Sequence, residues 1–432
     1  MCILRVHTHS AMILSWIGAA ILVVLTTVCT RHRPLWGLYA VMVSIPLSYK
    51  TVLQGTPLYF IVELTVLPFV VVVLSKRRDL LQNLRRSPFV AFIPFLGFIV
   101  LSALWAEYPA SVIKEVVRWL EFVLVGLAAT VTLTRRTDFH DSITFLGWIS
   151  AIVSVVGIIE FLLRINQNPY RPGAAAFIAH PNPSAAYLSL CTFPILGLLV
   201  KERGNDLFKR ATVFLILVLG LAFTFSRGVL LADIIGGVFF LIAIGSARTL
   251  WNQKTVKVLL GIILVLGGLV GIARFRETAI TRLVSQSVLD GRELIYPFGW
   301  TVYKEHPWLG LGAGNLKPHA LKYDLRLRDS QPFEPDFGDL HNLFLQLAVE
   351  TGGAGLFLFI AGFAGFSLIT SRRKTFLDAY NAPLYWSISA ASIAYLLSNC
   401  SGVYTIKGIQ LAWALLLALQ ASMTQPPPSD FA

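Results

Sequence analysis

The chain has 432 residues, of which 56% are hydrophobic and only 14% charged, with a formal net charge of +13 and a mean hydropathy of +0.69. A soluble protein of this size needs far more polar surface to cover its core, so a water-soluble globular fold is excluded. The basic balance does not point to nucleic acid either. Lys and Arg cluster in short loops beside apolar segments, and no basic face is interleaved with stacking aromatics.

Apolar stretches recur at 11–30, 34–49, 57–75, 88–105, 115–134, 143–163, 184–200, 211–225, 229–246, 258–273, 352–370, 384–400 and 408–423. Each approaches the roughly 20 residues that a bilayer-spanning helix needs. Strand-like alternation is absent, which argues against an outer-membrane barrel. The predicted fold is all-α: a polytopic integral membrane protein of about 12 transmembrane helices, or about 13 if both of the first two segments cross. One large external loop containing short helices interrupts them. Residues 1–273 hold transmembrane helices with short loops, 274–341 form the large loop, 342–423 return to the membrane, and 424–432 are a disordered tail.

Orientation follows from the basic loops. Lys76-Arg77-Arg78 with Arg85-Arg86, Arg135-Arg136, Lys201 to Arg210, Arg248 to Lys257, and Arg372-Arg373-Lys374 are expected on the cytoplasmic side. Alternation then puts 106–114, 164–183, 226–228, 274–341 and 401–407 outside. Arg31-His32-Arg33 also looks cytoplasmic, which leaves the crossing of the first two segments open. Cys2, Cys29, Cys191 and Cys400 lie far apart and form no metal or disulfide pattern.

Within the large loop the spacing predicts a helix from about Gly291 to Glu305, ended by Pro307. A turn rich in glycine follows, with Gly310, Gly312 and Gly314. No strand precedes it, so a nucleotide-binding loop is not expected there. Three external residues have chemistry to offer. Arg227 ends an unbroken apolar run within Phe225-Ser226-Arg227-Gly228, where a guanidinium can hold phosphate oxygens bidentately or serve as a snorkelling anchor. Arg292, in Asp290-Gly291-Arg292-Glu293, is a second cation or a partner in a surface ion pair. His341 follows Asp339-Leu340 and opens an apolar helix. Asp339 is the expected N-cap, which puts His341 in the first helical turn. There the helix dipole disfavours imidazolium and leaves a ring able to accept a proton.

Together these segments resemble the O-antigen ligase and O-antigen polymerase superfamily of bacterial envelope enzymes. The resemblance is carried by His341-Asn342, nine residues from Leu343 to Thr351, then Gly352-Gly353-Ala354-Gly355. It is also carried by Arg227 to Leu231 in a Ser-Arg-Gly setting, and by the run from Gly291-Arg292 through Trp300 and Glu305-His306-Pro307-Trp308 to Gly314. His180-Pro181-Asn182-Pro183 with Tyr187 adds to it; the likeness covers roughly 88–370.

The resemblance implies a glycosyltransferase that takes a glycan from undecaprenyl pyrophosphate and delivers it to an acceptor sugar hydroxyl at the periplasmic face of the bacterial inner membrane. It implies no cofactor, neither nucleotide nor metal. The acceptor is lipid A–core for a ligase, or another lipid-linked glycan for a polymerase; the exact nine-residue spacer favours the ligase. By the same resemblance Arg227 and Arg292 hold the pyrophosphate and His341 is the general base. Asn342 orients the ring or a phosphate, and Arg171 and Asn182 contact donor or acceptor. A polysaccharide or lipid transporter would want resembling halves and broken spans with midplane charge. Glu63, Glu121 and Asp233 are the intramembrane acids seen, and no such halves appear. A metal-dependent transferase would want an external acidic pair such as Glu334 with Asp336.

Overall fold

The computed structural model describes residues 18–47, 52–53, 56–57, 61–76, 84–163, 173–178, 180–200, 204–245, 292–320, 339–405 and 408–425. The expected span at 258–273, the basic loop 248–257, Arg171, the pair Glu334 and Asp336, and the tail beyond Gln425 lie outside the described residues.

Apolar sequence becomes helix here because a backbone in hydrocarbon must satisfy its own hydrogen bonds. The helices are α1 (Gly18–His32), α2 (Pro34–Leu47), α3 (Ile61–Ser75), α4 (Ile93–Leu101), α5 (Pro109–Thr132), α6 (Arg136–Leu162) and α7 (Pro181–Leu199). They continue with α8 (Gly204–Thr224), α9 (Arg227–Gly245), α10 (Arg292–Glu305), α11 (Leu343–Arg372), α12 (Ala382–Ser398) and α13 (Ile409–Met423). A two-residue antiparallel pair, Val52–Leu53 with Thr56–Pro57, is the departure from all-α among the described residues. Five helices (α6, α7, α8, α9 and α11) are long and apolar enough to cross a membrane. Shorter apolar helices join them, and α5 is as long but carries Lys114, Glu115, Arg118 and Glu121.

Between helices in lipid there is no hydrophobic drive, so association rests on packing. The centre of this bundle is a lock of aromatic rings. Phe92 meets Phe122 edge-on at 5.2 Å, Phe95 meets Trp119 at 5.1 Å, and Phe89 meets Phe366 at 5.3 Å. Phe122 also touches Trp413 at 5.4 Å. The rings tie the segment 88–101 to α5, α11 and α13. Gly126 leaves the space that the Phe89 ring fills, and a Cβ at Gly362 would stand 2.9 Å from the Phe92 ring.

Contacts divide the loops into two groups at opposite ends of the bundle. At one end the Lys76 Nζ donates to the Arg31 carbonyl at 2.9 Å. At that end too, Arg136 pairs with Asp378 at 3.1 Å, and His140 bonds Asn381 at 3.0 Å. These are the loops that the basic pattern puts on the cytoplasmic side. At the other end the connections 102–108, 173–180, 224–227, 306–315, 339–342 and 399–405 touch one another in pairs. The two sets predicted from charge are therefore the two sets that meet.

Candidate active site

Three helices begin close together at this second end. Helix α7 starts at Pro181 and is capped by His180, whose Nδ1 accepts from the Asn182 backbone N–H at 3.2 Å. Helix α9 starts at Arg227, which is exposed, directly after Phe225 in a left-handed conformation (φ 55°). The two starts share a support. The Ala174 N–H donates to the Phe223 carbonyl at 2.8 Å, and a Cβ at Gly173 would lie 2.6 Å from the Thr224 carbonyl and 2.9 Å from Pro181. Helix α11 starts at Leu343. Its first N–H donates to the carbonyls of Asn399 at 2.9 Å and Gly402 at 3.2 Å. Ser401 of that same loop fills the space a Gly228 side chain would need. The loop 399–405 thus stands between the start of the Arg227 helix and the start of the helix after His341.

His341 sits just ahead of helix α11, not within it. The cap is Asn342, whose Oδ1 accepts from the Phe344 and Leu345 N–H groups at 3.0 and 3.1 Å. This corrects the expectation that Asp339 caps and His341 is helical. His341 is itself left-handed (φ 48°), a conformation that few non-glycine residues adopt outside constrained sites. Asp339 holds it there. Its Oδ1 accepts from the His341 backbone N–H at 2.7 Å and lies 3.8 Å from Nδ1 of the ring. The ring is half-buried.

Helix α10 begins at Arg292 and packs beside this point. A Cβ at Gly299 would lie 2.8 Å from Leu340 and 3.3 Å from Leu345, the residues flanking His341 and its cap. Ile295, Val302, Leu316, Ala320, Leu340 and Val349 close a small apolar core of their own. The helix start is placed in this way; the Arg292 side chain lies outside the described residues, as does Arg171.

The glycine-rich turn is no phosphate cradle. Every N–H from 310 to 315 is already used: Gly310 donates to His306 O, Leu311 to Val349 O, Gly312 to Glu350 O, Ala313 to the Ser102 hydroxyl, Gly314 to Glu350 Oε2, and Asn315 to Gly312 O. The glycines serve backbone-on-backbone packing. Gly310 (φ 70°) lies against the Glu350 carbonyl, and Gly352 (φ 66°) bends helix α11 against the backbone of Trp308. On its other side the turn is bolted to the 102–108 connection. Asn315 Oδ1 accepts from the Tyr108 N–H at 2.7 Å, its Nδ2 donates to the Tyr108 carbonyl at 3.3 Å, and the Trp105 indole N–H donates to the Leu309 carbonyl at 3.2 Å.

Of the residues predicted for the site, Arg227, Asn182, His341 and Asn342 lie at or beside neighbouring helix starts, and the helix of Arg292 packs against the residues next to His341. Sequence reasoning missed Asn399 and Ser401, Asn315, and the pair Glu115 and Glu350. Asn399 and Ser401 carry no spacing signal. Glu350 does leave a trace, since it is the lone carboxylate of the apolar run Leu343 to Thr351.

A multi-pass helical membrane protein with a polar site built on converging helix starts at one bundle end is the class that the fold and site define. Residues 212–360 match the model of the O-antigen ligase family, so about a third of the chain is similar to that family. No curated protein matches the sequence.

Proposed function

We propose that this protein transfers a glycan from undecaprenyl pyrophosphate to a sugar hydroxyl of lipid A–core, at the periplasmic face of the inner membrane. The observation that carries the reading is the family match across 212–360, which takes in Arg227, Arg292 and His341. The helix starts at Pro181, Arg227 and Leu343 support it. The positive ends of the helix dipoles favour a bound diphosphate there, although the first amides of α7 and α11 are already bonded within the fold.

In this mechanism the donor pyrophosphate lies against Arg227 and Arg292, with Asn182 and Arg171 on the donor or acceptor and Asn342 beside the ring. Charge-assisted bonds of this kind contribute about 1.5–3 kcal/mol each. His341 takes the proton of the acceptor hydroxyl as its oxygen attacks the anomeric carbon. The bond from that carbon to the pyrophosphate oxygen breaks on the opposite face, so the centre inverts, and the arginines hold the departing diphosphate. Neither a nucleotide nor a metal has a step in it. Polymerisation uses the same donor chemistry with a second lipid-linked glycan as acceptor.

The test is to incubate the purified chain with lipid-linked glycan, with and without lipid A–core. Product that requires lipid A–core is expected. Longer lipid-linked chains formed without it would replace the ligase reading by the polymerase one. Arg227→Ala, Arg292→Ala and His341→Ala should each lower transfer at least a hundredfold while the protein still reaches the membrane. A variant retaining wild-type turnover removes that residue from the mechanism.

A further inference from the structure

Glu350 has no part in that mechanism, yet it is a buried carboxylate in an apolar helix, a placement costly enough to mark a functional group. Its contacts are specific. Oε2 accepts from the Gly314 N–H at 3.0 Å and Oε1 from Nε2 of Gln346 at 3.3 Å. Its backbone carbonyl accepts from the Gly312 N–H at 2.8 Å. One residue therefore receives the glycine-rich turn twice, through its main chain and its side chain.

The turn is also backed from the other side. A Cβ at Gly314 would stand 3.0 Å from the Glu115 Cγ, and Glu115 is paired with Arg118 at 2.9 Å. Helices α5 and α11 grip the turn between two carboxylates. Further along, Gly353 N–H donates to Pro307 O at 2.7 Å and Ala354 N–H to Trp308 O at 3.3 Å. The chain leaving helix α10 is thus laid along helix α11 without slack. Helix α10 begins at Arg292, and Glu350 lies nine residues beyond His341. Whatever fixes the turn on Glu350 fixes these two elements relative to each other.

We propose that Glu350 is a positioning residue for glycan transfer, holding the glycine-rich turn in register on the helix that follows His341 and so setting His341 against the helix that starts at Arg292. This rests on the transferase reading above. Glu350 touches no substrate in it and acts through the placement of other groups, where an ångström of misplacement costs orders of magnitude in rate.

The experiment uses the full chain in lipid nanodiscs with lipid-linked glycan and lipid A–core, comparing Glu350→Ala, Glu350→Asp and Glu350→Gln. A Leu311→Cys/Val349→Cys pair, at a point where the backbones bond at 3.0 Å, reports the register by its cross-linking rate. Glu350→Ala is expected to lower kcat roughly tenfold or more with both KM values within about threefold, and to slow the cross-link. Glu350→Asp keeps the carboxyl group but is one methylene short of Gly314, so it should fold and lose kcat similarly. Glu350→Gln should recover most of both readouts. Its amide keeps an oxygen for Gly314, and its NH2 can meet the buried Gln346 Oε1, which has no partner in the structure.

Wild-type kcat in Glu350→Asp, or Glu350→Gln as poor as Glu350→Ala, overturns the proposal. So does a slowed cross-link without loss of kcat. A wild-type chain that transfers nothing overturns the transferase reading, and this role with it, whatever the cross-link shows.

Discussion

Asn342 shows how one side chain can be read two ways. The resemblance gives it to the substrate, whereas its carbonyl caps helix α11 with two hydrogen bonds. Aspartate caps as well as asparagine, and alanine does not cap. Asn342→Ala should therefore destabilise the protein by about 1 kcal/mol, visible as a lower Tm. Asn342→Asp should keep the Tm but lose transfer, because in the proposed mechanism a carboxylate would then face the donor diphosphate. Equal activity of Asn342→Asp and the unaltered protein would separate the cap from the site. His341 was legible as a chemical group, but its left-handed backbone (φ 48°) was not. An Asp two residues ahead suits an N-cap and an Asx turn equally, and what decides is the Asn beside the histidine.

At the scale of elements, helix α11 is two helices joined at Gly352, where the chain is left-handed and abuts the backbone of Trp308. A left-handed L-residue costs about 1–2 kcal/mol before any overlap is counted. Gly352→Ala should lower thermal stability by at least about 2 kcal/mol and loosen the loop, measured as faster proteolysis between 306 and 315. Gly353→Ala, at a right-handed position with its nearest neighbour 3.3 Å away, should be much milder. Similar effects at both sites would mean that the bend is dispensable. The helix from Arg292 to Glu305 was foreseen to within a residue, because periodicity and Pro307 both report local structure. The partners of the glycine-rich turn were not. Its amides go to Ser102, Val349 and Glu350, and no local pattern announces a pairing between segments so far apart in the chain. For the same reason Glu115 and Glu350 escaped notice: Glu115 is the first residue of the apolar window 115–134, and Glu350 falls two residues before the window 352–370, so each lay at an edge.

For the whole molecule, charge proved the most informative signal. Five external connections and five basic ones were separated by Lys and Arg placement, and the cross-loop contacts of Lys76 with Arg31, Arg136 with Asp378, and 399–402 with Leu343 each join loops of the same set. Cys400 is exposed in the 399–405 connection, whereas Cys191 is buried in helix α7. A membrane-impermeant maleimide added to spheroplasts should label Cys400 and leave Cys191 untouched; labelling of Cys400 only after lysis would invert the topology. The ring lock between the segment 88–101 and helices α5, α11 and α13 bears on how the protein meets its surroundings. Interleaved edges and faces resist sliding far better than they resist joint rotation, since every ring is a stop for its neighbour. In a thinner or thicker bilayer this quarter of the protein must lean as a single piece, leaving the spacing of the elements above it unchanged. Adaptation to lipid then falls on the periphery, where helices such as α9 turn large bare aliphatic faces outward.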